Sequence, residues 1–247
     1  MWRAVHEEDL HPYHVHRVQR LEPGDPAQRM DFCHWITAHP HLLSVILFTD
    51  EASFTRDGIN NSRNVRAWSY DNPHGTSVTK FQRGFSVNVR CGLLGNKLIG
   101  PFVLDNNLTG NTYEVFLRNE LPGLLEDMPL MIRSQMYFQH DGAPPHYPRH
   151  VREYLNEFFR NSWLGRGGTA AWPPRSPDLT PLDYYLWSHI KTLLYETKVD
   201  SREELRLRIF AAAERNHPDN IAFATQSLLM RAENCIATGG RHFEQLL

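Results

Sequence analysis

Cysteine is scarce in this sequence, and what there is lies scattered. Three cysteines in 247 residues, Cys33, Cys91 and Cys235, form no close pair and leave an odd one over. That argues against a disulfide framework and against a cysteine-based zinc site, and it predicts a reducing compartment. Long apolar runs are missing too. The most apolar stretch, LLSVILF at 42–48, falls far short of the roughly 20 residues that a membrane helix needs. The opening MWRAVHEEDLHPYHVH is charged and rich in histidine, without the apolar centre of a signal peptide. The expectation is a soluble intracellular protein with no membrane partner. Neither sign of charge dominates: the formal net charge is −2. Overall charge therefore gives no support for nucleic-acid binding, and any such surface has to be a local patch. No cluster of lysine or arginine reads as a nuclear signal, and there is no internal repeat or low-complexity segment.

What is present is a sequence of elements. At 41% hydrophobic and 22% charged, the chain suits one large folded domain, with or without a small appendage. Residues 1–40 read as an arm. HPYHVHRVQRL (11–21) is compatible with a short helix and EPGDPAQ breaks it. RMDFCHWITAHP resumes with apolar spacing at Met30, Cys33 and Ile36 or Thr37, and Pro40 closes it. The period then changes. LSVILFT (43–49) is a continuous β-rich run, the pattern of a strand buried on both faces. A polar loop covers 57–79. FSVNVRCGLL (85–94) and KLIGPFVLD (97–105) form a hairpin around Gly95-Asn96. Asn111 or Thr112 opens a helix through 128, with Pro122 and Gly123 as a kink. QMYFQHD (135–141) is a strand, PRHVREYLNEFF (148–159) a helix, and GRGGTAAWPPRSP a loop with a short strand at 169–172. DYYLWSHIKTLLYE (183–196) is helical. Two more helices fill 201–235, the first opened by Ser201 with Glu204 in the spacing of a capping box. The expectation is an α/β fold: a mixed sheet flanked by helices, with a helical C-terminal tail.

Two acids stand where predicted strands end. Asp50 follows LSVILFT and Asp141 follows QMYFQH. The carboxyl edge of an open sheet is where such folds build sites, although one acid at one strand end is more simply a turn residue. A third acid, Asp183, shares a helix face with Trp187, Ile190 and Leu194, so it points into the protein. An unpaired inward carboxylate is costly and calls for a cation. Three carboxylates without a Cys or His pair suit Mg²⁺ or Mn²⁺. Two such ions can serve the attacking and leaving oxygens of phosphoryl transfer. The 41 residues between Asp141 and Asp183 specify nothing alone. Asp178, in SPDL, reads as a turn or cap residue. Glu51 neighbours Asp50 on a strand, points to the opposite face, and is not expected on the same ion.

These three acids sit in recognisable words. FTDEASF around Asp50, HDGAPPH around Asp141 and SPDLTPLDYYLW around Asp183 resemble the Tc1/mariner transposases, of the DDE/DDD superfamily. WLGRGGTAAWPPRSPDLTP and the ending GGRHFEQLL resemble insect mariner-like elements in particular. The resemblance runs from about residue 10 to the C-terminus. It implies an RNase H-like fold, with Asp50, Asp141 and Asp183 as catalytic and metal-binding residues. It implies Mg²⁺- or Mn²⁺-dependent cleavage of DNA at transposon ends and strand transfer by the freed 3′-hydroxyl. It also implies a homodimer on paired ends, a nuclear location, and no small-molecule substrate. Residues 41–199 would be the catalytic domain and 200–247 a helical extension packed on it. The stretch between Asp141 and Asp183 is longer than in well-known mariner branches, with the extra residues around GRGGTAAW. Only about 40 residues precede LSVILFTD, too few for paired helix-turn-helix modules. The expectation is thus a chain lacking the full N-terminal region, with a truncated or host-adopted relic that binds DNA or protein as the alternative.

DNA contacts are the remaining expectation. Arg63, Arg66, Lys80 and Arg83 lie among Asn, Ser and aromatic residues; Arg149, Arg152, Arg160, Arg166 and Arg175 lie near the second and third motifs. Each is a candidate phosphate contact, and each is equally compatible with a solvated surface. Arg66, Arg166 and Arg175 are the candidates retained, with Trp172 as a platform for an unpaired base. His146, and His140 beside it, either position the site or donate to phosphate, or else are satisfied structural histidines.

Overall fold

The structure, a computed structural model, describes residues 18–56, 58, 84–105 and 107–247. Its centre is a five-stranded sheet: β1 (Ile46–Thr55), β2 (Ser86–Leu94), β3 (Lys97–Leu104), β4 (Tyr137–Gln139) and β5 (Trp163–Leu164), in the order β3-β2-β1-β4-β5. β1, β2 and β3 are antiparallel neighbours, while β4 and β5 run parallel to β1. The apolar run opens β1 and is buried on both faces, as its lack of alternation predicts. Ile46, Phe48 and Phe54 enter one core and Leu47 enters the other. Each such side chain contributes about 1.5–3 kcal/mol by burial. The β2–β3 hairpin turns at Gly95, whose φ of 59° is easy for glycine.

One face of the sheet carries α1 (Asp25–Ala38), α6 (Trp187–Leu194), α7 (Arg202–Glu214) and α8 (Pro218–Ala237). The other carries α2 (Gly110–Val115), a π-helical segment (Phe116–Glu120), α3 (Leu121–Leu124) and α5 (Arg149–Phe158), with α4 (Leu130–Gln135) before β4. Among the described residues no helix is long and apolar enough to cross a membrane.

Several boundaries differ from those read in the sequence. Residues 18–22 are not helical, and 11–17, with the loop positions 57 and 59–79, lie outside the described residues. The helix expected from Asn111 or Thr112 begins at Gly110, because Thr109 and Thr112 cap each other reciprocally. The expected kink takes the form of the π-turns of Phe116–Glu120, placed just before Pro122, which has no N–H to donate. The short strand expected at 169–172 is a single bridge, Ala170 to Leu164, and the strand itself is Trp163–Leu164. Ser201 does cap α7, accepting from Glu204 N, but the Glu204 carboxylate accepts from Asp200 N instead of closing the box on Ser201.

The segment read as an arm contains α1, which is packed into the core. Phe32, Cys33 and Ile36 are buried, and α1 lies along α8. Cys33 and Cys235, one on each of these two helices, are both buried free thiols. The close approach requires Gly240, at φ 79°, where a Cβ would collide with the Pro26 carbonyl.

Candidate active site

β1 and β4 bring the first two acids together. In their parallel register Phe48 faces Gln139, and two residues further along each chain stand Asp50 and Asp141. Asp50 does not end its strand, as the sequence suggested. β1 continues to Thr55 because β2 pairs with it all the way, with Asp50 opposite Cys91 and Thr55 opposite Ser86. The strand becomes polar because the sheet opens there into a cleft. Alternation sends Glu51 to the other face, beside its register partner Arg90, with which it forms an ion pair.

The third acid arrives on a loop built for rigidity. Residues 172–181 hold four prolines, and their prolyl rings fix φ. This loop is anchored to α1 twice. Asp178 takes Arg29 bidentately, Oδ1 at 2.7 Å and Oδ2 at 2.5 Å, with both side chains buried. Arg175 pairs with Asp25. Asp178 is thus structural but not a cap: no side chain caps the short 3₁₀ turn Pro177–Leu179. The chain then enters a π-helical turn, Leu182–Leu186, that runs into α6. Leu182 and Leu186 are buried, and Asp183 between them lines the same cleft as Asp50 and Asp141. The cleft measures about 480 Å³, and Gln139, Trp172 and Arg175 also line it.

Electrostatically the cleft is strained. Burial pushes the Asp50 carboxyl up, to about 7, and the charge of Asp183 adds to this. Burial likewise raises Asp183 to about 6; Lys191 opposes that shift and Asp141 reinforces it. Asp141 goes the other way. Burial would raise it, but a hydrogen bond from His146 and one from the Ala143 amide hold it below the usual value. Asp50 is oriented by Trp187, whose Nε1 donates to Oδ2 at 2.7 Å. The sequence reading had Trp187 only as a neighbour of Asp183 on one helix face.

Three oxygen donors with raised or strongly engaged carboxylates match what a hard divalent cation would relieve. Their oxygens are spread out, however. Among the described residues, the trio of His, Cys, Asp or Glu whose ligand atoms all lie within 4.8 Å of one another is Asp178, His242 and Glu244, not the three cleft acids. In that trio Asp178 is already paired with the Arg29 guanidinium.

The residues expected to touch DNA fare differently. Trp172 is 7% exposed, with its ring edge-on to Phe32 at 4.7 Å, so its faces are not open to a base. Arg175 is engaged with Asp25. Arg166 is exposed and lies 4.0 Å over the Tyr147 ring. His146 is buried, 2.6 Å from Asp141. Arg66, like Arg63, Lys80 and Arg83, lies outside the described residues. Arg90, buried between Glu51, Thr49 and Tyr113, had carried no signal beyond being a charge inside an apolar strand.

No protein-family model matches the chain. Two curated relatives do. It is 31% identical over 116 residues to the Mariner Mos1 transposase of Drosophila mauritiana, covering 45% of this chain and 30% of that protein. It is 26% identical over 117 residues to the histone-lysine N-methyltransferase SETMAR of Homo sapiens, covering 47% of this chain and 16% of that protein. The chain thus matches well under half the length of either. Among solved structures, a Mos1 mariner paired end complex with Mn superposes with a TM-score of 0.81 at 21% identity, over 98% of this chain and 71% of that one. The Mos1 mariner transposase catalytic domain superposes with a TM-score of 0.71 at 20% identity, over 93% of this chain and all of that one. The resemblance to the Tc1/mariner transposases is thereby borne out, and so is the fold: an RNase H-like mixed sheet flanked by helices.

Proposed function

We propose that this chain is the catalytic domain of a mariner-type transposase, which cuts DNA at transposon ends and joins the freed 3′ end to target DNA with Mg²⁺ or Mn²⁺. One observation carries the reading: Asp50 in β1, Asp141 just past β4 and Asp183 in the π-helical turn, from three separate motifs, line one cleft. Solved structures of the similar Mos1 protein with Mn and with paired transposon ends support it.

Asp50, Asp141 and Asp183 would hold the metal. Bound there, it supplies Lewis acidity and a water acidic enough to attack at neutral pH. Two ions would let one serve the attacking and the other the leaving oxygen. The protein's own part is placement. Trp187 fixes one oxygen of Asp50, the proline loop and the π-turn deliver Asp183, and Asp141 is held ionised. Without a cation, Asp50 is about half protonated at neutral pH and Asp183 takes up its proton near pH 6, because burial disfavours the charged forms and neighbouring acids add to it. Arg149 and Arg166, exposed beyond the second motif, are the candidates for phosphate contact. The same reading makes DNA the partner, a homodimer the working form, and the nucleus the site of action.

The test is nicking of a labelled duplex bearing a transposon end, with and without Mg²⁺ or Mn²⁺. Asp183→Ala is expected to lower the rate about 100-fold or more. Undiminished nicking by that variant would remove the assignment.

A further inference from the structure

Beneath the cleft lies a buried polar network centred on the histidine that ends HDGAPPH. His146 is 2% exposed and sits in the short turn Pro144–His146. Its Nδ1 is 2.6 Å from Asp141 Oδ1. A carboxylate can only accept, so Nδ1 carries the hydrogen, which sets the tautomer. The other ring nitrogen, Nε2, then turns to Arg90, whose Nη1 donates to it at 3.5 Å, with Glu51 Oε1 at 3.3 Å. Arg90 is in turn fixed from several sides. It pairs with Glu51, donates to Thr49 Oγ1 at 2.5 Å and to Tyr113 Oη at 3.2 Å, and lies 4.7 Å from the centre of the Tyr113 ring. The His146 ring stacks on His140, 5.1 Å away, and is tilted against Tyr113, 4.4 Å away.

The result is a relay with one direction: guanidinium to Nε2, then Nδ1–H to carboxylate. Each donor polarises the next. At its end, Asp141 Oδ1 receives two hydrogen bonds, from His146 at 2.6 Å and from Ala143 N at 3.0 Å. Among the described residues no donor is set against Oδ2, and the Asp141 side chain is 46% exposed.

We propose that His146, backed by Arg90, is a positioning residue that locks Asp141 by one oxygen and presents the other, Oδ2, to the cleft as a single-oxygen ligand. This rests on the cleft being a divalent-cation site. His146 itself does not touch the cation or the DNA. Partners of this kind, which hold a ligand by its far atom, typically change metal affinity by about 10–100-fold when removed.

Two substitutions in the full chain separate this role from mere packing. His146→Ala removes the donor. His146→Asn keeps one, since the amide Nδ2 stands on Cγ as the ring Nδ1 does. Mn²⁺ affinity is measured for each by calorimetry, alongside the melting temperature without metal. The expected result is a loss of about 10–100-fold for His146→Ala, with His146→Asn restored to within a few-fold of the parent. Parent affinity in His146→Ala overturns the proposal. So does an equal loss in both variants, or unfolding of both, because either would make the histidine structural. If the parent protein itself binds no Mn²⁺, the metal-site reading fails first and takes this one with it.

Discussion

Asp50 shows how one side chain sets a measurable property. Its pKa is about 7 in the folded protein, against 3.8 for an unperturbed aspartate. Between those pH values the folded protein binds more protons than the unfolded chain. Stability from this group is therefore full below about pH 4 and lost as pH rises through 7. The buried His140 and His146, whose pKa values burial lowers, act oppositely and lose stability as pH falls below 6.5. The comparison with Asp50→Asn cancels them. In metal-free buffer that variant should become more stable than the parent as pH rises from 4 to 7.5, by on the order of a few kcal/mol; a gap independent of pH, from melts at each pH, would contradict it. The acids themselves were legible because each sits in a short motif next to an apolar strand or helix face. Their holders were not. Trp187 reaches Asp50 across 137 residues, and Arg90 meets His146 across 56. No periodicity records such meetings.

At the scale of elements, the proline loop and α1 are joined by a buried ion pair. Removing one partner of such a pair strands the other charge and costs about 3–5 kcal/mol. Arg29→Met should destabilise the fold by that amount in chemical denaturation, since Asp178 would lose both guanidinium bonds, and Ser176 Oγ and the Gly240 carbonyl would lose their bonds from Arg29 as well. A loss under 1 kcal/mol would mean that the loop is held by other contacts. The helices and the hairpin were readable, because the 3.6 and 2.0 periods and the Gly95 turn are local signals. Asp178 was readable as structural but not by its means, since its partner lies 149 residues away. β5 has two residues, too few to show any period.

For the whole molecule, the cleft couples cation binding to folding. If the three acids hold Mg²⁺ or Mn²⁺ in the native state alone, millimolar metal should raise the melting temperature. At 100 times the dissociation constant the gain is about 2.7 kcal/mol. The shift should vanish in Asp183→Asn, and a shift of the same size in that variant would point to binding elsewhere. The mixed α/β architecture followed from the order of apolar runs. The placement of α1 did not, because its buried face is defined by Arg29 and Asp25 as much as by Phe32 and Ile36, and charged residues at such positions read as surface.

Asp25 and Arg29 lie one helical turn apart on α1, and their partners Arg175 and Asp178 lie three residues apart on the loop ahead of Asp183. The two pairs are therefore loaded in parallel. A pull on the chain ahead of α1 would be shared between them and passed to the backbone that carries Asp183, so tension applied at the N-terminal side of the domain would be felt directly at the cleft.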